Sequence, residues 1–292
     1  MKLGGISSAR KEYMVEIRKR EINSLVHDKR MKVIKDSYSR CDEEGFIAAV
    51  KGFCNFDFGN NPPADTLVAT QILLKASDGV HNSHPERFSA IFARAQAEYP
   101  LCQILVWLLT NVDERMEPGD KVIENVCRCF LYLTYQSQSY FTQKFVDPDF
   151  IKTLLERFGG GSNSTKDLVA FIVSNILMDD PLAYIKVLLS NKYMYLLSQN
   201  LISRQYPDNA NLIWPIQMLF RALVKVSDTI QLDLPNISSI ILEKIFSHGS
   251  EQHRMDIMEI MRDGCKIDSK LANSILAKPY FREYTYACAS SL

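Results

Sequence analysis

The sequence predicts an all-α protein, a right-handed superhelical solenoid of about five helical repeats behind a basic N-terminal helix. Two observations carry that expectation. From Glu43 onward apolar residues recur at helical spacing, with polar or Gly/Pro breaks about every 10 to 16 residues and no convincing period-two run. The anchors of the longest helical segments, Phe130, Phe171, Met218 and Met258, then lie 41, 47 and 40 residues apart (171 − 130, 218 − 171 and 258 − 218). Such a period belongs to armadillo or HEAT arrays, in which each helical unit buries its apolar face only by stacking on its neighbours. An irregular helical bundle is the alternative.

In order along the chain, residues 10 to 32 are expected to form a weakly amphipathic basic helix, with Met14, Ile17, Ile22 and Leu25 at spacings of three, five and three. It is marginal alone and would order mainly on binding. The first unit comprises EEGFIAAVKGFC (43 to 54), the loop NFDFGNNPP and ADTLVATQILLKASDG (64 to 79). Asp65 is placed to cap the second of these helices, and Pro62-Pro63 keep the loop from continuing as helix. In CQILVWLLTN (102 to 111), Trp107 is expected on a buried stripe, and Asn111 at the helix end before the Pro118-Gly119 loop. Later units read DFIKTLLERF (149 to 158), the loop GGGSNSTK, helices at 167 to 180 and 181 to 190, then 191 to 203 and 211 to 228. A last unit covers 235 to 249 and 251 to 265, so the organisation is an arm (1 to 40) and a solenoid (43 to 292).

Composition narrows the function classes. The longest apolar run, Ile104 to Leu109, is too short to cross a bilayer, and the Met1 end carries no apolar signal segment, so a soluble intracellular protein is expected. Seven cysteines without a C-x-x-C pair fit a reducing compartment. The zero net charge hides an asymmetry. Residues 1 to 40 hold 11 Lys/Arg against 5 Asp/Glu, about +6, which leaves 23 against 29, about −6, for the rest. A basic arm on an acidic body suggests an acidic partner, or the body itself as a competing one.

Signals for catalysis or metal binding are poor. His81 and His84 have H-x-x-H spacing, but Pro85 follows in a loop-like segment with no Cys or carboxylate pair at ligand spacing. His248, His253 and Cys265 are no better. Gly159-Gly160-Gly161 lacks the Gly-Lys-Ser/Thr of a phosphate loop and reads as an inter-helix connection. Cys127 and Cys129 fall on a helix expected to be packed. No cofactor or metal is expected, and an enzyme with an unseen site is the minor alternative. Nucleic acid is disfavoured, because beside Tyr13 and Tyr38 the arm carries no interleaved aromatics.

Three stretches carry a family resemblance. VEIRKREINSLVHDKR (15 to 30) resembles the importin-beta-binding segment of importin-alpha, with its V-E-L-R-K core. VATQILLK (68 to 75) resembles the third helix of that family's first armadillo unit, and FIVSNILMDDP (171 to 181) is similar to its W-A-L-G-N-I-A-G-D run. The resemblance implies that Arg10, Lys11, Arg18, Lys19, Arg20, Lys29 and Arg30 face an importin-beta-like receptor. It also implies a concave groove in which each third helix presents a Trp and, four residues on, an Asn, to hold a basic peptide. Carried over, those positions fall on Phe130 and Thr134, Phe171 and Asn175, and Met218 and Ala222. The Trp/Asn ladder is mostly replaced, so classical basic localisation peptides should bind poorly.

The implied function is a non-enzymatic adaptor with a restricted protein or peptide cargo, no membrane contact, and residence in cytoplasm and nucleus. An armadillo scaffold that has left transport is the alternative. The charge asymmetry adds the expectation that the arm competes for the groove.

Overall fold

The computed structural model describes residues 42–135, 139–204 and 210–227. All regular structure among them is helical. The helices are α1 (Glu43–Cys54), α2 (Pro63–Ser83), α3 (Phe88–Glu98), α4 (Leu101–Asn111), α5 (Gly119–Thr134), α6 (Tyr140–Phe145), α7 (Pro148–Gly160), α8 (Asn163–Asp179), α9 (Pro181–Ser190), α10 (Tyr193–Ser203) and α11 (Ile213–Ser227), with a 3-10 turn at Ala210–Leu212. In chain order they make triplets, α3–α5, α6–α8 and α9–α11, after the pair α1–α2. The third helices α5, α8 and α11 begin 44 and 50 residues apart (163 − 119 and 213 − 163). The expected unit from 235 to 265 and the arm lie outside the described residues.

The chain divides into two compact units, Met1–Ile104 and Leu105–Leu292, with the division inside α4. In the first, Phe46, Val50 and Phe53 of α1 are buried, as are Ile72, Leu73 and Val80 of α2. α1 packs on α2 and α3. Phe46 meets Phe88 edge-on with centroids 5.7 Å apart. Arg94 and Arg87 reach Glu43 at 2.7 and 3.3 Å across the same joint, but both arginines are exposed, so these pairs contribute little.

In the second unit, α8 packs on α5, α7 and α11. The third helices therefore form one layer with α8 in the middle. Beneath it, Phe130, Phe141 and Phe150 make a closed triangle with centroids 5.0 to 5.5 Å apart. Fully burying such side chains is worth roughly 1.5 to 3 kcal/mol each.

Helix starts follow local chemistry. Asp42, Ser139, Asp147, Ser162 and Asp180 each cap a helix by accepting from a backbone N–H three residues on, and Pro148 and Pro181 occupy the first turn. The expected cap at Asp65 is corrected. Pro62 stands at the cap position without a side-chain bond and Pro63 is the first helical residue, which leaves Asp65 in the first turn.

The loop expected over 159 to 166 shrinks to Gly161 and Ser162, because α7 runs through Gly160 and α8 starts at Asn163. A side chain at Gly161 would lie 2.7 Å from the Arg157 carbonyl oxygen and 2.9 Å from Thr165 Cγ2, so the backbones meet there only because the residue is glycine.

The end of α4 is sealed from outside its own sequence. Its last carbonyls have no intrahelical donors. Arg157, on α7, supplies them: Nε donates to the Leu109 oxygen at 2.6 Å, and one terminal nitrogen donates to the oxygens of Thr110 at 3.2 Å and Val112 at 3.0 Å. Glu114 faces the other terminal nitrogen at 3.7 Å, and both side chains are only 14% exposed. A second arginine behaves likewise one triplet on. Arg204, at the end of α10 and 3% exposed, pairs with Asp167 of α8, whose other oxygen accepts from Asn211 at 3.0 Å.

Candidate functional site

The α11 helix shows which surface of the second unit is available. Between Leu212 and Val226 nearly every position is buried, and the positions left open are Trp214, Arg221, Val224 and Lys225. Trp214, Arg221 and Lys225 are separated by seven and four residues, which keeps them within about 20° of one line on a 3.6-residue helix. The corresponding open row of α8 is Asp167, Phe171, Asn175 and Met178, again at spacings of four, four and three. On α5 the open row includes Glu124, Arg128 and Tyr132, and ends at Tyr135 beside the helix.

Two contacts join these rows. Phe171 and Trp214 stack nearly parallel, with centroids 5.4 Å apart and 20° between planes. Asn175 donates its side-chain N–H to Thr134 Oγ1 at 3.3 Å. Two ion pairs involve these rows, Glu124 with Arg128 and Asp167 with Arg204.

The expected groove residues divide on this geometry. Phe171 and Asn175 lie half-buried on the open row of α8. Phe130 does not reach a surface; it is fully buried in the triangle with Phe141 and Phe150. Thr134 is buried too, its hydroxyl donating back to the Phe130 carbonyl at 2.9 Å. Met218 and Ala222 are likewise buried, between the open positions of α11. As groove positions these four are corrected to packing residues. Trp214, which the sequence reading passed over, supplies the aromatic face on α11.

Trp107 is a further correction. It is 44% exposed, because the buried stripe of α4 is Leu101, Cys102, Leu105, Leu108 and Leu109, and position 107 falls on the opposite side. Asn111, also exposed, donates to the Trp107 carbonyl at 2.8 Å, an i,i+4 bond that closes the helix end. The basic residues Arg10, Lys11, Arg18, Lys19, Arg20, Lys29 and Arg30 lie outside the described residues.

The remaining motifs resolve into packing. Half-buried His81 sits edge-on to Phe88 at 5.7 Å, and burial holds its imidazole below the usual value against the opposing pull of Asp78. Among the described residues no three His, Cys, Asp or Glu side chains cluster in a way that could hold a metal ion. Burial pushes the Cys127 thiol up to about 12 and that of Cys54 likewise, far from the thiolate a nucleophile needs. Gly159 and Gly160 are the last turn of α7. No helix among the described residues is long and apolar enough to cross a membrane.

The class of protein that this architecture defines is an armadillo-type α-solenoid. The chain is similar to a designed armadillo repeat protein, YIII(Dq.V1)4CPAF, solved in complex with the peptide (KR)4, with a TM-score of 0.54 over 84% of this chain and 98% of that one. At 12% sequence identity the likeness establishes the fold alone. No protein-family model and no curated protein matches the sequence.

Proposed function

We propose that the chain is a non-enzymatic adaptor that holds an extended segment of a partner protein against its third helices. It docks on an importin-beta-like receptor through the basic arm and moves between cytoplasm and nucleus. One observation carries the binding surface: the stacked Phe171–Trp214 step with Asn175 one turn away on the same open row. It supplies an apolar platform beside an amide that keeps further hydrogen-bonding capacity, on the layer of third helices. The designed armadillo protein of similar fold was solved with a peptide bound. Support for the receptor is the resemblance of residues 15 to 30 to an importin-beta-binding segment and the charge of about +6 over residues 1 to 40.

The test of the receptor is capture of the full chain on immobilised importin-beta, with Arg18, Lys19 and Arg20 changed to Glu as comparison. Retention of the native chain and loss of the variant is expected; equal retention of both, or of neither, rejects the transport reading. The burial of Phe130, Thr134, Met218 and Ala222 favours a second reading, a scaffold outside transport with one dedicated partner, and that reading predicts no capture.

A further inference from the structure

We infer that Thr134 is a positioning residue for peptide recognition: its buried hydroxyl fixes the side-chain amide of Asn175, so that the amide oxygen is presented to a backbone N–H of the bound segment. The inference rests on the peptide-binding reading above. Thr134 is on α5 and Asn175 on α8, 41 residues apart in the chain, and they meet across the layer of third helices.

Donors and acceptors decide how the amide lies. A threonine hydroxyl has one proton and two lone pairs. Thr134 directs its proton back into its own helix, to the Phe130 carbonyl oxygen at 2.9 Å and the Leu131 oxygen at 3.2 Å. Towards Asn175, 3.3 Å away, Oγ1 therefore accepts. Of the two ends of the Asn175 amide only Nδ2 can donate, so Nδ2 is held against α5. Turning the amide over would set Oδ1 against Oγ1, and the hydroxyl would have to leave the Phe130 carbonyl to satisfy it. Thr134 is 1% exposed, so water does not supply the missing proton.

With Nδ2 on α5, Oδ1 lies on the other arm of the planar group, towards the side of α8 on which Phe171 stacks with Trp214. Asn175 is half-buried on the open row, one turn beyond Phe171. A segment anchored across that aromatic step meets Oδ1 as an acceptor and the second Nδ2 proton as a donor. One residue of an extended chain carries the complementary N–H and C=O on one edge. A proline at that register has no N–H to offer. Thr134 touches no part of the segment and acts through Asn175 alone.

The experiment is fluorescence anisotropy on the full chain with a labelled, uncharged peptide of about eight residues alternating Leu and Ser, long enough to cross all three third helices. The chains compared are the native one, Thr134→Val, Thr134→Ser, Asn175→Ala, and Thr134→Val combined with Asn175→Ala. Val removes the hydroxyl and Ser retains it. Thr134→Val should bind about threefold to tenfold more weakly, the worth of one hydrogen bond's preference for one amide orientation. Thr134→Ser should bind as the native chain does. Once Asn175 is alanine, Thr134→Val should change nothing further. A loss that persists in the Asn175→Ala background overturns the inference, because a purely structural role of Thr134 gives that result. Native-like binding by Thr134→Val, or Thr134→Ser as weak as Thr134→Val, overturns it too. Weaker binding by Asn175→Ala in those cases leaves the peptide-binding reading in place. Native-like binding by Asn175→Ala, or no binding by the native chain, overturns that reading and the inference with it. If Thr134→Val does not fold, the two Nδ2 protons of Asn175 in the native chain decide by NMR: distinct solvent-exchange rates support the fixed amide, and equal rates overturn it.

Discussion

Replacing Arg157 by Met tests the account of how α4 is closed. The change keeps the aliphatic stem and removes the guanidinium, leaving three carbonyl oxygens without their donor. The Thr110 contact is exposed, so water replaces it at little cost. The contacts to Leu109 and Val112 are part-buried, at 2.6 and 3.0 Å. Hydrogen bonds to a charged donor are worth about 1.5 to 3 kcal/mol, and solvent access favours the low end, giving about 3 kcal/mol for the two. The Glu114 carboxylate, 3.7 Å away and only 14% exposed like its partner, also loses its counter-charge, so about 3 kcal/mol is a lower figure, whereas Glu114→Gln leaves Arg157 its three carbonyl acceptors and should cost less than Arg157→Met. A loss of about 3 kcal/mol lowers a melting temperature by about 10 °C in a domain of this size. Urea unfolding followed by circular dichroism gives the global number, and amide exchange over residues 105 to 116 reports the local one. A loss below about 1 kcal/mol with unchanged exchange would refute the reasoning. So would full retention by Arg157→Lys, whose point charge lacks the guanidinium fork.

Two further outcomes follow from buried polar groups. Tyr193 is enclosed with its ring edge-on to Phe158 at 5.6 Å, and its hydroxyl has no hydrogen-bond partner among the described residues. Tyr193→Phe should therefore raise the urea midpoint by the equivalent of about 1 kcal/mol, and a drop would mean the hydroxyl is partnered. Burial raises the thiols of Cys54 and Cys127 to about 12, from about 9 for an ordinary thiol. The unfolded chain ionises first, so these thiols leave stability intact below about pH 9 and erode it as pH rises from about 9 towards 12. Melting temperatures across that window should fall, and fall less for Cys127→Ala; an equal fall in both would count against a buried neutral Cys127.

Much of the fold was readable because helical periodicity and caps act locally. Asp42, Asp147 and Asp180 lie at the starts that the apolar rows mark out. The misplaced breaks share a cause. Gly159 and Gly160 read as loop, but packing of Leu154, Leu155 and Phe158 carries the helix past them. The repeat register places Trp107 on the buried stripe of a second helix, although the apolar row 101, 102, 105, 108 and 109 already points the other way.

The site was legible only in part. Phe171 and Asn175 came from a motif match, whereas Phe130, at the matching position one unit earlier, is covered by Phe141 and Phe150 from helices the motif does not include. Trp214 carried a usable signal, since it opens a row with Arg221 and Lys225 along an otherwise apolar helix. Arg157 and Arg204 carried none. An arginine reads as solvated until the turn some 40 residues away is brought against it.

Those two arginines bear on any attempt to dissect the protein into pieces. A fragment cut after α6, at Phe145, would contain every residue of α4 and α5 and still lack the group that closes α4, which arrives only with α7. A fragment cut after α8 would likewise leave Asp167 without Arg204. Truncation end points chosen after a third helix would thus yield products in which the end of α4, or the first turns of α8, lack their arginine partner, and each needs the second helix of the following triplet to be self-sufficient. The natural module for expression or grafting is offset from the repeat read along the chain, ending after a second helix instead of after a third.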